Sequence, residues 1–125
     1  KESIPAATRR TGGNPAKRTF QALRIEANDE LGAITRALPQ ALDLLMVHGR
    51  LVVMSFQSLE DRIVKEVFLE ASTSKSPRNL PIELPEYAAK FSLVFRSGET
   101  PSQSELDENP RSASVRLRAI ERVAA

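Results

Sequence analysis

Apolar residues recur along this chain with two different periods, and these periods predict helices and strands. Between residues 20 and 38 they return every three or four positions, which is typical of an amphipathic helix that opens at residue 18 or 19. Pro39 predicts a break there, followed by a second short helix through Leu45. Residues 50–56 form a short apolar run after Gly49, which favours a buried strand.

The strand at residues 50–56 runs directly into a predicted helix. Ser58 is expected to cap this helix with its hydroxyl, and the following carboxylates suit the positive helix end. Leu59 and four later apolar residues then share one helical face: Ile63, Val64, Val67 and Phe68. Because ligands of open α/β sheets bind where strands end at their carboxyl ends, residues 55–62 are the candidate site.

The second half of the chain differs from the first in its composition and in the spacing of its apolar residues. Residues 72–89 are rich in Ser, Thr, Lys and Pro and predict a long loop. Alternation predicts a strand at residues 90–96, and Thr100 with Pro101 predicts a short polar helix ending near Asn109. Residues 114–122 alternate again, which predicts a second strand antiparallel to residues 90–96. Its apolar residues would face the core, while Arg116 and Arg118 would face solvent or bind phosphate.

Composition excludes several kinds of chemistry. The 125 residues suit one small domain and contain no Cys, so disulfides, thiolate zinc sites and cysteine nucleophiles are excluded. His48 is the only histidine, which leaves carboxylates as possible Mg²⁺ ligands but excludes a histidine cluster. No apolar run approaches the length of a membrane helix, and the N-terminus does not resemble a signal peptide. These features fit a cytoplasmic protein.

Charge is distributed unevenly. Residues 1–24 carry a net charge of +5, whereas the remainder carries −3. A basic N-terminal segment on a slightly acidic body suggests contact with nucleic-acid phosphates. The alternative is a solvated linker in which arginine serves solubility.

Three segments resemble signatures of the MraW/RsmH family of bacterial ribosomal RNA methyltransferases. They are NPAKRTFQALRIEANDEL (residues 14–31), GRLVVMSFQSLEDRIVK (residues 49–65) and ENPRSASVRLRAIER (residues 108–122). The resemblance follows the family order and covers nearly the whole chain. Members use S-adenosylmethionine to methylate N4 of a cytosine in small-subunit (16S) ribosomal RNA. Their fold is a Rossmann-like methyltransferase domain with an inserted helical domain.

The resemblance implies that this chain is the C-terminal part of such an enzyme. The expected fold is α/β, with about three strands of the methyltransferase sheet and flanking helices. Residues 1–17 would be a basic linker from the helical insertion, residues 18–125 the C-terminal part of the methyltransferase domain, and residues 72–89 a variable loop. The glycine-rich cofactor loop and the acidic ribose ligand have no counterpart here, so no residue is assigned to S-adenosylmethionine.

Within the matched segments the chain departs from the family at three positions. Asn14 and Gln57 stand where histidine is common, and His48 replaces a glycine. Gln57 can exchange hydrogen bonds but cannot titrate near neutral pH. No catalytic base is therefore assigned.

Eight residues are candidates for contact with RNA or the target base, and each has a structural alternative. They are Lys17, Arg18, Arg24, Ser55, Gln57, Ser58, Arg62 and Arg111. The first three gather near a helix start, where backbone N–H groups also attract phosphate. Ser58 could simply cap its helix, Arg62 could pair with an acid, and Arg111 could belong to a turn. The neighbouring Glu60 and Asp61 could act as bases or complement the helix dipole.

The isolated chain is expected to be inactive. Its partners would be ribosomal RNA or the small ribosomal subunit and the missing N-terminal half of the enzyme, with no membrane. The strand at residues 50–56 would keep an open edge, which predicts self-association. Two other functions stay open: a non-catalytic nucleic-acid-binding fragment, and an interaction module that completes a sheet of another polypeptide.

Overall fold

The chain folds into four α-helices, one 3₁₀ helix and a three-stranded sheet in the part that the computed structural model describes, residues 16–77 and 87–125. The elements are α1 (Lys17–Asn28), α2 (Glu30–Leu44), β1 (Arg50–Ser55), α3 (Ser58–Ala71), β2 (Phe91–Leu93), α4 (Gln103–Glu108), the 3₁₀ helix (Pro110–Ser114) and β3 (Arg116–Arg122). Contacts divide the chain into two compact units, residues 1–33 and residues 34–125. The described part of residues 72–89 contains no α-helix or strand.

In the first unit, the predicted long helix is interrupted at Asp29. This residue adopts the left-handed conformation, with φ 48° and ψ 38°, which aspartate tolerates better than most residues. The Asp29 carboxylate also occupies the space that a Cβ at Gly32 would fill. The prediction of one uninterrupted helix across residue 29 was therefore wrong, because periodicity does not detect a single left-handed residue.

Pro39 lies inside α2 and does not end it, contrary to the predicted break. An interior proline costs a helix about 3 kcal/mol. Leu38 and Leu42 lie on either side of it and are 6% and 5% exposed. Burying two leucines stabilises by about 1.5–3 kcal/mol each, which offsets that cost. The proline itself lies on the exposed side of the helix.

The sheet has the order β1-β3-β2, and β3 runs antiparallel to both neighbours. The predicted antiparallel pairing of residues 90–96 with residues 114–122 is confirmed, although β2 is only three residues long. β1 is thus an edge strand in the described part of the sheet. Its other edge carries no strand there.

One face of the sheet is covered by α2 and α3. The core joins Leu38 and Leu42 to Val64 and Phe68 of α3 and Ile120 of β3. The register places Leu51 and Val53 of β1 on this covered face. The opposite face exposes the alternate β1 residues, Val52 and Met54, to 55% and 57%.

The arginines of β3 lie on the covered face, so the prediction that they face solvent was wrong. Arg118 pairs with Val53 in the register, and Ile120 pairs with Leu51, so both lie on the side of the helices. The apolar Leu117 instead shares the open face with Met54, its partner in the register. The reason is tertiary: α3 supplies a carboxylate that makes burial of a guanidinium tolerable.

The short helix before β3 begins later than predicted. Ser102, rather than Thr100, is its N-cap and accepts the N–H of Glu105 at 3.3 Å. The following turn is held by Asn109, whose side-chain oxygen accepts the N–H of Arg111 at 3.2 Å. These caps lead the chain through the 3₁₀ helix into β3.

Arg122, the last residue of β3, connects the sheet to the end of α2. Its guanidinium donates to the carbonyl oxygens of Leu45 (2.8 Å) and Asp43 (3.3 Å) at the end of α2 and lies 5.7 Å from the ring centre of Phe91. A cation at a helix C-terminus complements its unsatisfied carbonyls. Close by, His48 adopts a φ of 67° in the turn before β1.

Candidate functional site

The candidate site lies where β1 ends and α3 begins. Ser55 closes β1 and is only 4% exposed, whereas Phe56, which follows it, is 53% exposed. Gln57 is the N-cap residue of α3 in extended conformation. The Glu60 carboxylate reaches back to accept the backbone N–H groups of both Phe56 and Gln57, each at 3.2 Å. The first turn of α3 thereby fixes the backbone at the junction between β1 and α3.

The prediction that Ser58 caps this helix was wrong. Ser58 is the first helical residue and is exposed, and the cap position belongs to Gln57. The sequence pattern Ser-Leu-Glu-Asp allowed a serine cap. The reach of Glu60 moves the helix start back by one residue, because it binds the N–H groups that precede Ser58.

Asp61 and Arg118 form a two-pronged ion pair between α3 and β3. The Arg118 Nε and Nη2 atoms donate to the two carboxylate oxygens of Asp61 at 2.7 and 3.0 Å. Their side chains are only 16% and 19% exposed, for the arginine and aspartate respectively. The hydrogen bonds from Arg118 hold the pKa of Asp61 below its usual range, with the charge of Arg116 adding to the effect. Asp61 is therefore ionised, and both of its carboxylate oxygens accept hydrogen bonds from Arg118. A carboxylate in this state does not suit the role of a general base.

The loop after β2 packs against the same guanidinium. A Cβ added at Gly98 would lie 3.3 Å from the Cζ and Nη2 atoms of Arg118. The neighbouring Glu99 exchanges backbone hydrogen bonds with Leu117 of β3 at 2.9 and 3.0 Å. The absence of a side chain at residue 98 thus lets the loop approach the ion pair closely.

Three further arginines belong to this end of the sheet. Arg62 is exposed on the first turns of α3, Arg111 is exposed on the 3₁₀ helix that leads into β3, and Arg116 lies opposite Ser55 in the register. Arg116 donates to the Val115 carbonyl oxygen at 2.9 Å. Within residues 16–77 and 87–125, none of the three forms an ion pair with a carboxylate. They therefore keep N–H groups that can donate hydrogen bonds to an external phosphate.

The other predicted cations belong to the first unit. Lys17 and Arg18 are exposed in the first turn of α1. Arg24 forms an ion pair with Glu30 at 3.1 Å, so its guanidinium already has a carboxylate partner. Phe20, the first apolar residue of the predicted amphipathic helix, is 69% exposed.

The candidate residues at the end of β1 therefore differ in their exposure to solvent. Ser55 is buried beneath its turn, whereas Gln57, Ser58 and Arg62 remain grouped at the end of β1. The sequence predicts the same for Arg116 and Arg118, namely that they face solvent or bind phosphate. The feature that distinguishes Arg118 from Arg116 is its ion pair with Asp61. Because Asp61 lies 57 residues before Arg118 in the chain, no local sequence pattern reveals this pair.

Glycines in the described part of the chain do not form a cofactor cradle. Gly32 lies within α2, Gly49 precedes β1, and Gly98 packs on Arg118. None follows a strand and opens a helix, as the phosphate or nucleotide loop of an α/β sheet requires. The described glycines therefore supply no turn of that kind. Across the described residues there is also no cluster of three or more potential metal ligands.

A cavity of about 420 Å³ lies away from this site, at the opposite end of the sheet. It is lined by the second half of α2, the last turns of α3 and the residues leading into β2, including Asp43, Glu70, Tyr87 and Phe91. Its position separates it from residues 55–62. Helices of the described segments are all too short or too polar to cross a membrane.

Comparison with known proteins gives a consistent result. The model of the MraW methylase family matches residues 1–123. The chain is 61% identical over 122 residues to the ribosomal RNA small subunit methyltransferase H of Rhodococcus jostii, covering 98% of this chain and 36% of that protein. For the protein of the same name from Corynebacterium diphtheriae the identity is 61% over 119 residues, covering 95% and 35%. For that of Mycobacterium marinum it is 58% over 122 residues, covering 98% and 31%.

The chain thus spans about a third of the length of the curated relatives that it matches. The family model nevertheless matches nearly every residue of it, including both the β1–α3 turn and the segment that leads into β3. This chain belongs to the MraW methylase family.

Proposed function

We propose that this chain is the C-terminal part of an S-adenosylmethionine-dependent methyltransferase that methylates N4 of a cytosine in small-subunit ribosomal RNA. The observation that carries the proposal is the identity of about 60%, over almost the whole chain, to proteins named ribosomal RNA small subunit methyltransferase H. The cytosine specificity comes from the family resemblance of the three signature segments.

The end of β1 is the part of the chain that we place against the RNA. Ser58 offers a hydroxyl group beside the exposed ring of Phe56, and next to it lies the amide of Gln57, which also accepts the backbone N–H of Glu60 in the capping box. Arg62 and Arg111 are exposed at the same end of the sheet and form no ion pair with a carboxylate of residues 16–77 or 87–125. Amide and hydroxyl groups can bind the edge of an unstacked base, while arginines bind the adjoining phosphates. Ser55 is buried and would support the turn rather than touch the base.

S-adenosylmethionine would supply the activated methyl group, and its binding residues would come from the remaining two thirds of the enzyme. The described residues of this chain contribute no glycine-rich turn for it. Transfer from a sulfonium to an exocyclic amine depends mainly on alignment of the two atoms. The contribution of this chain would therefore be to bind and orient the RNA. Its place of action would be the cytoplasm, where small ribosomal subunits are assembled.

The rest of the enzyme is also the expected neighbour of β1. In the described part of the sheet, β1 has a strand on one side only, so its other edge suits pairing with a further strand. Its exposed residues Val52 and Met54 suit covering by a further layer of the protein. The same observation supports the alternative that this chain completes a sheet of a separate polypeptide. In both cases the chain alone would lack methyltransferase activity.

Two measurements test the proposal. The full-length enzyme should transfer labelled methyl groups from S-adenosylmethionine to small ribosomal subunits, with N4-methylcytosine detected by mass spectrometry of the digested RNA. Titration of S-adenosylmethionine into the isolated chain should give no binding heat in calorimetry. A different modified base would refute the cytosine assignment. Saturable one-to-one binding to the isolated chain would refute the division of labour.

A further inference from the structure

The ion pair of Asp61 and Arg118 joins three segments that surround the candidate site. Asp61 is the fourth residue of α3, one helical turn after Gln57. Arg118 follows Arg116 by two residues on the same face of β3. The Gly98 loop packs on the guanidinium from a third side. The position of the β1–α3 turn is thus tied to β3 and to the loop after β2 through one guanidinium.

Stability alone does not account for a pair of this kind. Removing two charges from water costs several kcal/mol per ion, and apolar residues of the same volume often stabilise a fold as well or better. A two-pronged pair, by contrast, fixes the distance and the plane of both groups. The Asp61–Arg118 pair has this geometry at 2.7 and 3.0 Å. It therefore suits a role in which orientation matters more than net stabilisation.

Resting on the function proposed above, we infer that Asp61 and Arg118 are positioning residues that fix the β1–α3 turn for methyl transfer. They act through the turn and do not touch RNA themselves, since each already satisfies the other. The turn continues β1, whose last residue Ser55 pairs with Arg116, and its capping contacts belong to α3 itself. The ion pair adds a side-chain connection between the first turn of α3 and β3.

The chain offers a matched control for this pair. Arg50 and Glu121 also form an ion pair across β1 and β3, at 2.7 Å, but at the opposite end of the sheet. Their side chains are 62% and 23% exposed. Glu121→Gln removes a charge from the same sheet without touching the candidate site, so it measures the general effect of losing such a pair.

The test uses the full-length enzyme with small ribosomal subunits and S-adenosylmethionine as substrates. Asp61→Asn and Arg118→Lys each retain one hydrogen bond but lose the two-pronged geometry. We expect kcat to fall about 10- to 100-fold, because small misplacements of reacting groups cost that much. The KM for the subunits and the Kd for S-adenosylmethionine should change less than about threefold, since no contact residue is removed. Glu121→Gln should leave kcat within about twofold of the wild type.

Gly98→Ala provides a milder perturbation that alters no charge. The added methyl group would press on the guanidinium at 3.3 Å and shift it by a fraction of an ångström. We expect a smaller loss of kcat and an unchanged KM, and this variant decides the matter if the ion-pair variants do not fold. Wild-type kcat in Gly98→Ala and in every folded ion-pair variant would overturn the positioning role alone. A wild-type enzyme that does not methylate small subunits would instead refute the proposed function, and this inference with it.

Discussion

The open face of β1 gives a quantitative prediction about self-association. Val52 and Met54 keep 55% and 57% of their surface in water. Fully burying such a side chain stabilises by about 1.5–3 kcal/mol, so covering the exposed half contributes about 1 kcal/mol for each residue. Two copies that cover each other's face would gain about 4 kcal/mol from these four side chains. The variant carrying Val52→Lys and Met54→Lys should therefore dissociate at roughly 1,000-fold higher concentration than the wild-type chain.

Sedimentation equilibrium of the isolated chain over nanomolar to high micromolar concentrations measures this shift directly. The control variant carries Leu44→Lys and Leu69→Lys, which place the same charges on helix residues that are 84% and 53% exposed. It should associate like the wild type. Equal association of the β1 variant and the wild type would show that this face is not the contact. A wild-type chain that stays monomeric throughout would refute the open-edge reasoning.

Two further predictions concern the stability of the second unit. The pKa of Asp61 is lowered by Arg118, so the pair stabilises the fold fully above the ordinary aspartate pKa of about 4 and loses this contribution as pH falls through the lower folded value. Urea midpoints should thus fall more steeply with acidification in the wild type than in Asp61→Asn, and parallel curves would contradict this. Pro39→Ala should raise the free energy of unfolding by about 1–3 kcal/mol, because it restores an N–H within α2. Thermal unfolding measures that gain, and a lower midpoint would show that the proline fits its helix without cost.

The sequence predicted the elements whose signals are local. The β-branched run after Gly49 identified β1, and the spacing from Leu59 to Phe68 identified α3. Alternation in two segments identified β2 and β3, and the short connection between them predicted their antiparallel pairing. Each of the periodic signals depends on residues within about ten positions of one another, which is the range that periodicity reads.

Two of the errors concern features decided by distant residues. Alternation in β3 correctly separated its two faces, but nothing local says which face the helices cover. That choice depends on Asp61, because a buried Arg118 needs a carboxylate partner. The helix through Pro39 persists for a similar reason, since its flanking leucines pack on a core built from α3 and β3.

For the candidate site, the sequence placed residues 55–62 at the end of a strand, and the structure puts them there. It did not predict that Ser55 would be buried or that Glu60 would take over the capping of the turn. Both outcomes depend on the direction of single side chains at the junction, which the residue types alone leave open. The roles of the eight candidate residues remain predictions.

The strand order has a consequence for synthesis. β3 lies between β1 and β2 in the sheet but follows both in the chain, so neither has its partner until residues 116–122 have left the ribosome. At about 5–20 residues per second, β1 then waits several seconds before its backbone hydrogen bonds to β3 can form. Nascent chains that stop before residue 116 would present β1 and β2 without this shared partner to any chaperone or protease nearby. Synthesis of β3 is therefore the step that joins the three described strands into one sheet.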